Sequence, residues 1–205
     1  MEATGEIMGY VSKRRWERWL DIGVAVSWAV YAGLYLAAVW VSHDITNIGL
    51  FLFYTIVAVL FLRRRPATRT APWWQVAVAL ADVYIPVCVV RSAAQGWRGG
   101  NIIQTVALVA MIVSLFSLGS SFGIAPADRG LRTQGMYRRI RHPLYASEIL
   151  FYVGYVLANL SLRNVFGLIL VIALLVMRIR WEEQIIEGYD TYARRVRWRL
   201  VPGIW

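Results

Sequence analysis

Side chains that could do chemistry concentrate first in the longest polar connection of the chain, residues Gly123–Pro143. This connection ends in Arg141, His142 and Pro143, and Tyr145 follows two residues later. Pro143 suits the first turn of a helix, where its missing N–H has no intrahelical partner to lose. We therefore expect Arg141 and His142 to lie at a helix N-terminus, whose free N–H groups attract anions.

A second concentration of polar side chains begins with the adjacent glutamates Glu182 and Glu183, at the end of a long apolar segment. The dipole of a helix disfavours negative charge at its C-terminus. Both carboxylates are therefore expected to have partners, either arginines of the tail that follows or a bound ligand.

The tail after the glutamate pair has the features of a short amphipathic helix. Gly188 can end the preceding helix, and Asp190 can cap the next one. Tyr192 then falls on one face of that helix, and Arg194 and Arg195 fall on the other. On these features alone, a basic helix lying on anionic lipid is the competing interpretation.

Four further residues have side chains that could do chemistry, but their surroundings in the sequence give less support for a functional role. Glu148 lies about one turn into the helix that starts at Pro143, where it could contact a ligand or pair with a loop arginine. Asp82 lies inside an apolar segment, and an intramembrane carboxylate is a functional candidate by default; snorkelling to the nearby interface or a hydroxyl partner is the alternative. His43 lies in a short loop, as a solvated histidine would. Cys88 is the single cysteine, so neither a disulfide within the chain nor a cysteine-based metal site is predicted.

The elements that position these residues are predicted to be transmembrane helices. Hydrophobic residues make up 59% of the 205 residues, above the roughly 45–50% of a soluble domain. A crossing needs about 20 residues, and on that scale the sequence predicts an all-α, polytopic membrane protein of one domain, residues 1–205. The predicted spans are 19–41, 47–62, 73–91, 101–122, 144–160 and 164–180. The last two are joined by only four residues and either could fall short, so five spans are the alternative.

The distribution of basic residues predicts the orientation of these spans. The net charge is +10, and 19 of the 22 Lys and Arg residues fall on one side in the six-span arrangement. Short cytoplasmic loops carry such an excess, so both termini are predicted to be cytoplasmic, in what would be a bacterial cell membrane. The basic residues flank apolar blocks instead of forming a stripe, which disfavours a nucleic-acid partner.

The order of these motifs carries a resemblance to a known family. It covers about the last 80 residues and includes a helical hairpin followed by Glu182-Glu183 and by a tail with Arg197, Arg199 and Pro202-Gly203. The motif before the hairpin is Gly135-x-Tyr137-x-x-x-Arg141-His142-Pro143-x-Tyr145. The combination resembles the isoprenylcysteine carboxyl methyltransferases and their phospholipid methyltransferase relatives.

The resemblance implies a cofactor, a substrate class and a set of site residues. It implies methyl transfer from S-adenosylmethionine to a prenyl, fatty or phospholipid-like acceptor at the cytoplasmic face, with variable helices in residues 1–122 and the cofactor-binding region in residues 123–205. Such chemistry needs alignment and exclusion of water, but no metal. Glu148, Glu182 and Glu183 are the candidate catalytic residues. The cofactor-binding residues implied are Gly135, Tyr137, Arg141, His142, Tyr145, Glu182, Glu183, Tyr192 and Arg195.

Two other functions compete with this one at the level of sequence. A membrane sterol or isoprenoid reductase would share a similar C-terminal region and use NADPH, for which the many arginines would suit the 2′-phosphate. A small transporter or non-catalytic scaffold is the alternative from a different class. The apolar segments show no inverted repeat and few polar residues at mid-membrane, where a transport site is expected.

Overall fold

The protein is helical in the computed structural model, which describes the backbone of residues 2–89 and 96–205 and the side chains of residues 18–84 and 96–205. The side chain of Cys88 and the end of the predicted third span lie outside these described residues. The described chain forms seven α-helices, which confirms the all-α prediction. They are α1 (Glu2–Ser42), α2 (Ile45–Arg63), α3 (Trp73–Val89), α4 (Gly99–Leu118), α5 (Pro143–Ala158), α6 (Leu162–Ile185) and α7 (Tyr189–Arg195).

Each of the six predicted spans coincides with one of the helices α1–α6. Four helices in the described part of the chain are long and apolar enough to cross a membrane: Arg18–Ser42, Ile45–Arg63, Gly99–Ser121 and Leu162–Ile185. The helix α5 is apolar but has only 16 residues. The structure thus supports at least four candidate spans, and the count of six stays a prediction.

Local sequence explains where several of these helices begin. Asp44 caps α2 by accepting a hydrogen bond from the Thr46 N–H at 2.8 Å. Pro143 occupies the first turn of α5, as predicted. The short helix α7 begins differently from the prediction, because Gly188, in a left-handed conformation with φ 74°, precedes Tyr189. Asp190 therefore lies within the first turn of α7 instead of capping it.

The helices pack mainly as the pairs α1–α2 and α4–α5, with smaller contacts between α2 and α4 and between α3 and α6. Small residues bring α4 and α5 close together, since a Cβ on Gly100 would lie 2.4 Å from the Gly154 carbonyl oxygen. Large apolar side chains such as Val26, Phe116 and Leu162 point outward. Their exposure is what a lipid-facing surface requires.

One end of the bundle gathers three polar segments. The two-residue strands β1 (Arg69–Thr70) and β2 (Ala127–Asp128) pair antiparallel, which joins the α2–α3 connection to the α4–α5 connection. Ile140 and Trp198 form a parallel bridge, which adds the tail. These are the segments that carry most of the arginines, so the described structure places them at one end. Which side of a membrane that end faces stays a prediction.

Candidate functional site

A polar cleft opens at this end of the bundle, between the α4–α5 connection, the start of α5, the end of α6 and the helix α7. The cleft contains about 710 Å³ of empty space, which includes its opening to solvent. Its polar lining comprises Ser121, Arg129, Arg132, Tyr137, Arg141, His142, Tyr145, Glu182, Tyr189 and Tyr192. The cleft thus contains most of the residues that the sequence predicted for the cofactor.

Glu183, a predicted cofactor-binding and catalytic residue, does not line this cleft but connects the tail to residues that do. Its carboxylate accepts two hydrogen bonds from Arg199 Nε and Nη2, both at 2.9 Å, and one from the Tyr189 hydroxyl at 3.0 Å. Arg141 Nη1 lies 3.5 Å and His142 Nε2 lies 3.3 Å from the same carboxylate. The hydrogen bond to Glu183 raises the pKa of Arg199. The predicted partners of Glu183 include a tail arginine, and this is confirmed.

Arg141 holds the C-terminal end of α7. Its guanidinium donates to the carbonyl oxygens of Val196, Ala193 and Arg197 at 2.7, 3.0 and 3.2 Å. These are carbonyls that a helix end leaves without partners. The Arg141 N–H also donates to the Trp198 carbonyl at 2.8 Å. Arg141 therefore lines the cleft, and its main role in the structure is to attach the tail to the start of α5.

His142 lies at the N-terminus of α5, as predicted, and is buried. Its Nε2 lies 2.9 Å from the Tyr189 hydroxyl. Its ring stacks on that of Tyr145, with centroids 5.6 Å apart and 11° between the planes. Burial, and then the nearby Glu183 carboxylate, raise the pKa of Tyr189, so its phenol stays protonated and can donate. His142 thus contacts two aromatic rings, those of Tyr145 and Tyr189.

Tyr145 belongs to a chain of polar groups that runs from the cleft into the bundle. Its hydroxyl donates to Glu182 and accepts a hydrogen bond from Arg178 Nη2 at 3.1 Å. Arg178 Nη1 contacts Asp82 Oδ2 at 2.5 Å, and Nη2 also donates to the Ile124 carbonyl at 2.8 Å. Asp82 is 0% and Arg178 3% exposed. The structure thus gives Asp82 an arginine partner.

Arg178 is a residue that sequence reasoning missed. The charge count treated it as one of the arginines that orient the spans, but it lies inside the bundle on α6. A signal was present, because Arg178 precedes Glu182 by four residues and so shares its helix face. The unexplained carboxylate of Asp82 in the third apolar segment was the other half of that signal.

Gly135, Tyr137 and Tyr192 support the cleft in different ways. The Tyr192 hydroxyl donates to the Tyr137 carbonyl at 2.7 Å, and burial raises the pKa of Tyr192 to about 12. Both tyrosine rings line the cleft. Gly135 does not line it. Its φ of 61° and the 2.4 Å from a Cβ there to Ser117 Oγ show that the turn requires glycine.

Two other arginines replace Arg195 in the lining of the cleft. Arg195 is exposed on α7 and lies outside the cleft. Arg129 and Arg132 line it instead. From the sequence, both arginines were interpreted only as charges that set the orientation of the spans in the membrane. Arg132 Nε donates to Ser121 Oγ at 3.1 Å, which fixes the side chain along one wall.

A second cavity of about 890 Å³ lies deeper between the helices and is lined mostly by aromatic and aliphatic side chains. Gly123, Leu144 and Tyr145 line both cavities, so the two meet there. Glu148 faces this chamber and has no hydrogen bond or ion pair to another residue in the described part of the chain. Besides Tyr145, the aromatic residues of the chamber are Trp28, Tyr31, Phe53, Tyr54, Tyr84, Phe122, Phe151 and Tyr152.

The fold and the site together define an integral membrane protein with a small-molecule cleft at one end of its helices. A family model described as phospholipid methyltransferase matches residues 98–192. This confirms the resemblance inferred from the sequence, and it supports a membrane methyltransferase. Every residue that lines the cleft, from Leu118 to Tyr192, falls within the matched segment. No curated protein matches the chain significantly.

Proposed function

We propose that this protein is an S-adenosylmethionine-dependent methyltransferase that acts on a lipophilic acceptor held between its helices. The observation that carries the proposal is the meeting of two unlike cavities at Tyr145, one polar and at the end of the bundle, the other aromatic and inside it. Methyl transfer between a water-soluble donor and a lipid-like acceptor requires such a junction. The family match over residues 98–192 supports the same chemistry.

The polar cleft has groups that suit each part of the cofactor. The carboxylate of Glu182 and the rings of Tyr137 and Tyr145 suit cationic groups, whereas the guanidinium groups of Arg129 and Arg132 suit a carboxylate. S-adenosylmethionine carries an amino acid moiety with both charges and supplies an activated methyl group on its sulfonium. The donor set therefore fits this cofactor, and no metal is required for its chemistry.

The remaining predicted cofactor residues would shape and close the cleft. His142 and Tyr192 present buried rings to its interior. Arg141 and Glu183 attach the tail that forms one wall, and this wall would exclude water from the reacting atoms. We assign Gly135 to the turn that places Tyr137, and Arg195 to the outer surface of α7.

The aromatic chamber is the proposed place of the acceptor. Its walls suit a prenyl, fatty or phospholipid-like chain that enters sideways from the bilayer. Glu148 lines it and has no hydrogen bond or ion pair to another described residue, so we assign it to accept a proton from an amine or hydroxyl acceptor. The arginine excess at the end that bears the cleft supports a cytoplasmic location for the site.

The test is methyl transfer by the purified full-length protein in lipid vesicles. Tritium in the methyl group of S-adenosylmethionine is expected to move into the organic phase of a lipid extract. The matched control is the variant His43→Ala, which changes an exposed residue at the opposite end of the bundle. Absence of label from the extract, with a range of lipid acceptors supplied and with both proteins monodisperse, would contradict the proposal.

A further inference from the structure

We propose that Asp82 is a positioning residue of the methyl-transfer site and acts on Glu182 through Arg178 and the Tyr145 hydroxyl. The inference rests on the proposed function, because it assigns a role within that site. It also adds α3 to the machinery, although α3 ends before the matched residues 98–192 begin. Asp82 lines neither cavity but contacts Arg178, which lines the deeper one, so its effect on Glu182 must be transmitted through that arginine.

The transmission starts from an ion pair that fixes one guanidinium. Asp82 Oδ2 accepts from Arg178 Nη1 at 2.5 Å, and the Ile124 carbonyl accepts from Nη2 at 2.8 Å. A planar guanidinium held at both of these nitrogens has its remaining N–H directions set. One of them meets the Tyr145 hydroxyl oxygen at 3.1 Å.

The direction of this bond determines the direction of the next one. Arg178 can only donate, so the Tyr145 oxygen acts as its acceptor and its own proton is left for another partner. That partner is the Glu182 carboxylate. The Tyr145 ring is held as well, since the Arg178 guanidinium lies 4.9 Å from its centroid and the His142 ring stacks on it. Asp82 thereby helps to orient a carboxylate of the cofactor cleft.

A role in stability alone explains this pair less well. A buried ion pair stabilises a fold only when its other polar atoms are satisfied. Within the described residues, Asp82 Oδ1 and Arg178 Nε have no hydrogen-bond partner. The pair thus has a desolvation cost with incomplete compensation, and what it supplies is a fixed geometry next to Tyr145.

The experiment is a double-mutant cycle with Asp82→Asn and Tyr145→Phe, read as kcat/KM for methyl transfer in vesicles. Each single variant is expected to lose about tenfold or more, and the double variant is expected to lose no more than about twofold beyond the weaker single variant, because both interrupt one chain. Losses that multiply, or an Asp82→Asn variant with parental kcat/KM, would overturn the inference.

Two further variants keep the result interpretable. Asp21→Asn is the matched control, since Asp21 pairs with Arg64 between α1 and α2 and lines neither cavity of the site. It is expected to retain parental kcat/KM. Should Asp82→Asn not fold, the variant Asp82→Asn/Arg178→Gln, which lacks both charges, takes its place. That variant is expected to insert and to lose at least the same activity, and a folded double variant with parental activity would contradict the proposed role.

Failure of this inference is separate from failure of the proposed function. If the parental protein transfers no methyl group to any lipid extract, the proposed function fails and the cycle has no baseline. If the parental protein and Asp21→Asn both transfer methyl groups and Asp82→Asn does so equally well, the function stands and the positioning role of Asp82 is wrong.

Discussion

The region from α4 to α7 and the region from α1 to α3 contribute differently to this molecule. The first contains the hydrogen-bonded groups of the cleft, and through Glu183 it also binds Arg199 of the tail that follows α7. The second contributes stacked aromatic rings, such as Trp28 on Tyr54 at 5.3 Å and 10°. Directional hydrogen bonds dominate the region from α4 to α7, and apolar surface dominates the region from α1 to α3.

The difference suggests how donor and acceptor recognition are divided. In the proposed function, a cofactor with fixed charges needs directional partners, and the residues that line the cleft lie within the segment 98–192 that the family model matches. A lipid-like acceptor needs mainly surface, which can be built from side chains that are far apart in the chain. The aromatic chamber combines Trp28 and Tyr84 from the first three helices with Tyr152 from α5. Changing the first three helices could then change the acceptor without disturbing the cofactor cleft.

The substitution Glu148→Gln is expected to lower the activity most, and it tests whether the chamber and the cleft take part in one reaction. Glu148→Gln keeps the shape of a side chain on the chamber wall but removes its ability to accept a proton. For an acceptor that releases a proton, we expect kcat to fall about a hundredfold, the lower part of the range for general-base catalysis. Affinity for S-adenosylmethionine, measured by calorimetry, is expected to stay within about twofold because Glu148 does not line the cleft. A parental kcat would show that Glu148 accepts no proton in the rate-limiting step.

The next largest expected change is a loss of cofactor affinity when Glu183, in the region from α4 to α7, is replaced. Glu183→Ala removes the group that binds Arg199 and Tyr189, so the tail wall of the cleft loses one of its attachments, while those through Arg141 remain. Affinity for S-adenosylmethionine is expected to fall about thirtyfold, which corresponds to about 2 kcal/mol. Glu187→Ala is the matched control, because this nearby glutamate has a side chain that is 80% exposed and only a 4.0 Å contact to Arg69. Equal affinities of the two variants would contradict the role of Glu183.

A smaller effect is expected in the aromatic region. Tyr54→Leu keeps apolar volume in the chamber but removes a ring that stacks on Trp28. We expect the KM for the lipid acceptor to rise about fivefold, about 1 kcal/mol, while affinity for the cofactor stays parental. Phe116→Leu, on the outward surface of α4, serves as the control. If Tyr54→Leu instead weakens cofactor binding, the proposed division between cofactor recognition and acceptor recognition is wrong.

The smallest effect separates the cleft from the surface of α7. Arg195 was predicted to bind the cofactor, but the structure places it outside the cleft. Arg195→Ala is therefore expected to change the affinity for S-adenosylmethionine by less than about twofold, whereas Arg132→Ala is expected to weaken it about tenfold. Calorimetry on both variants compares them, and the reverse order would restore the original assignment.

Much of the cleft could be predicted because its motifs are local in the chain. Pro143 marks the start of α5 and so places His142, and the position of Glu182 and Glu183 at a helix end required partners. The chamber could not be predicted, because Trp28, Tyr54 and Tyr152 meet only through helix packing. Periodicity gives each apolar helix but not which neighbour it contacts, and for the same reason the pair between Asp82 and Arg178 was not recognised.

Direct binding measurements test whether the polar cleft binds S-adenosylmethionine or the alternative cofactor, NADPH. Purified full-length protein in detergent is titrated with tritiated S-adenosylmethionine in the presence of unlabelled S-adenosylhomocysteine or NADPH. We predict saturable binding that S-adenosylhomocysteine displaces and NADPH does not, and that Glu182→Gln weakens about tenfold. Saturable binding of NADPH, together with no binding of S-adenosylmethionine to the parental protein, would contradict S-adenosylmethionine as the cofactor of the cleft.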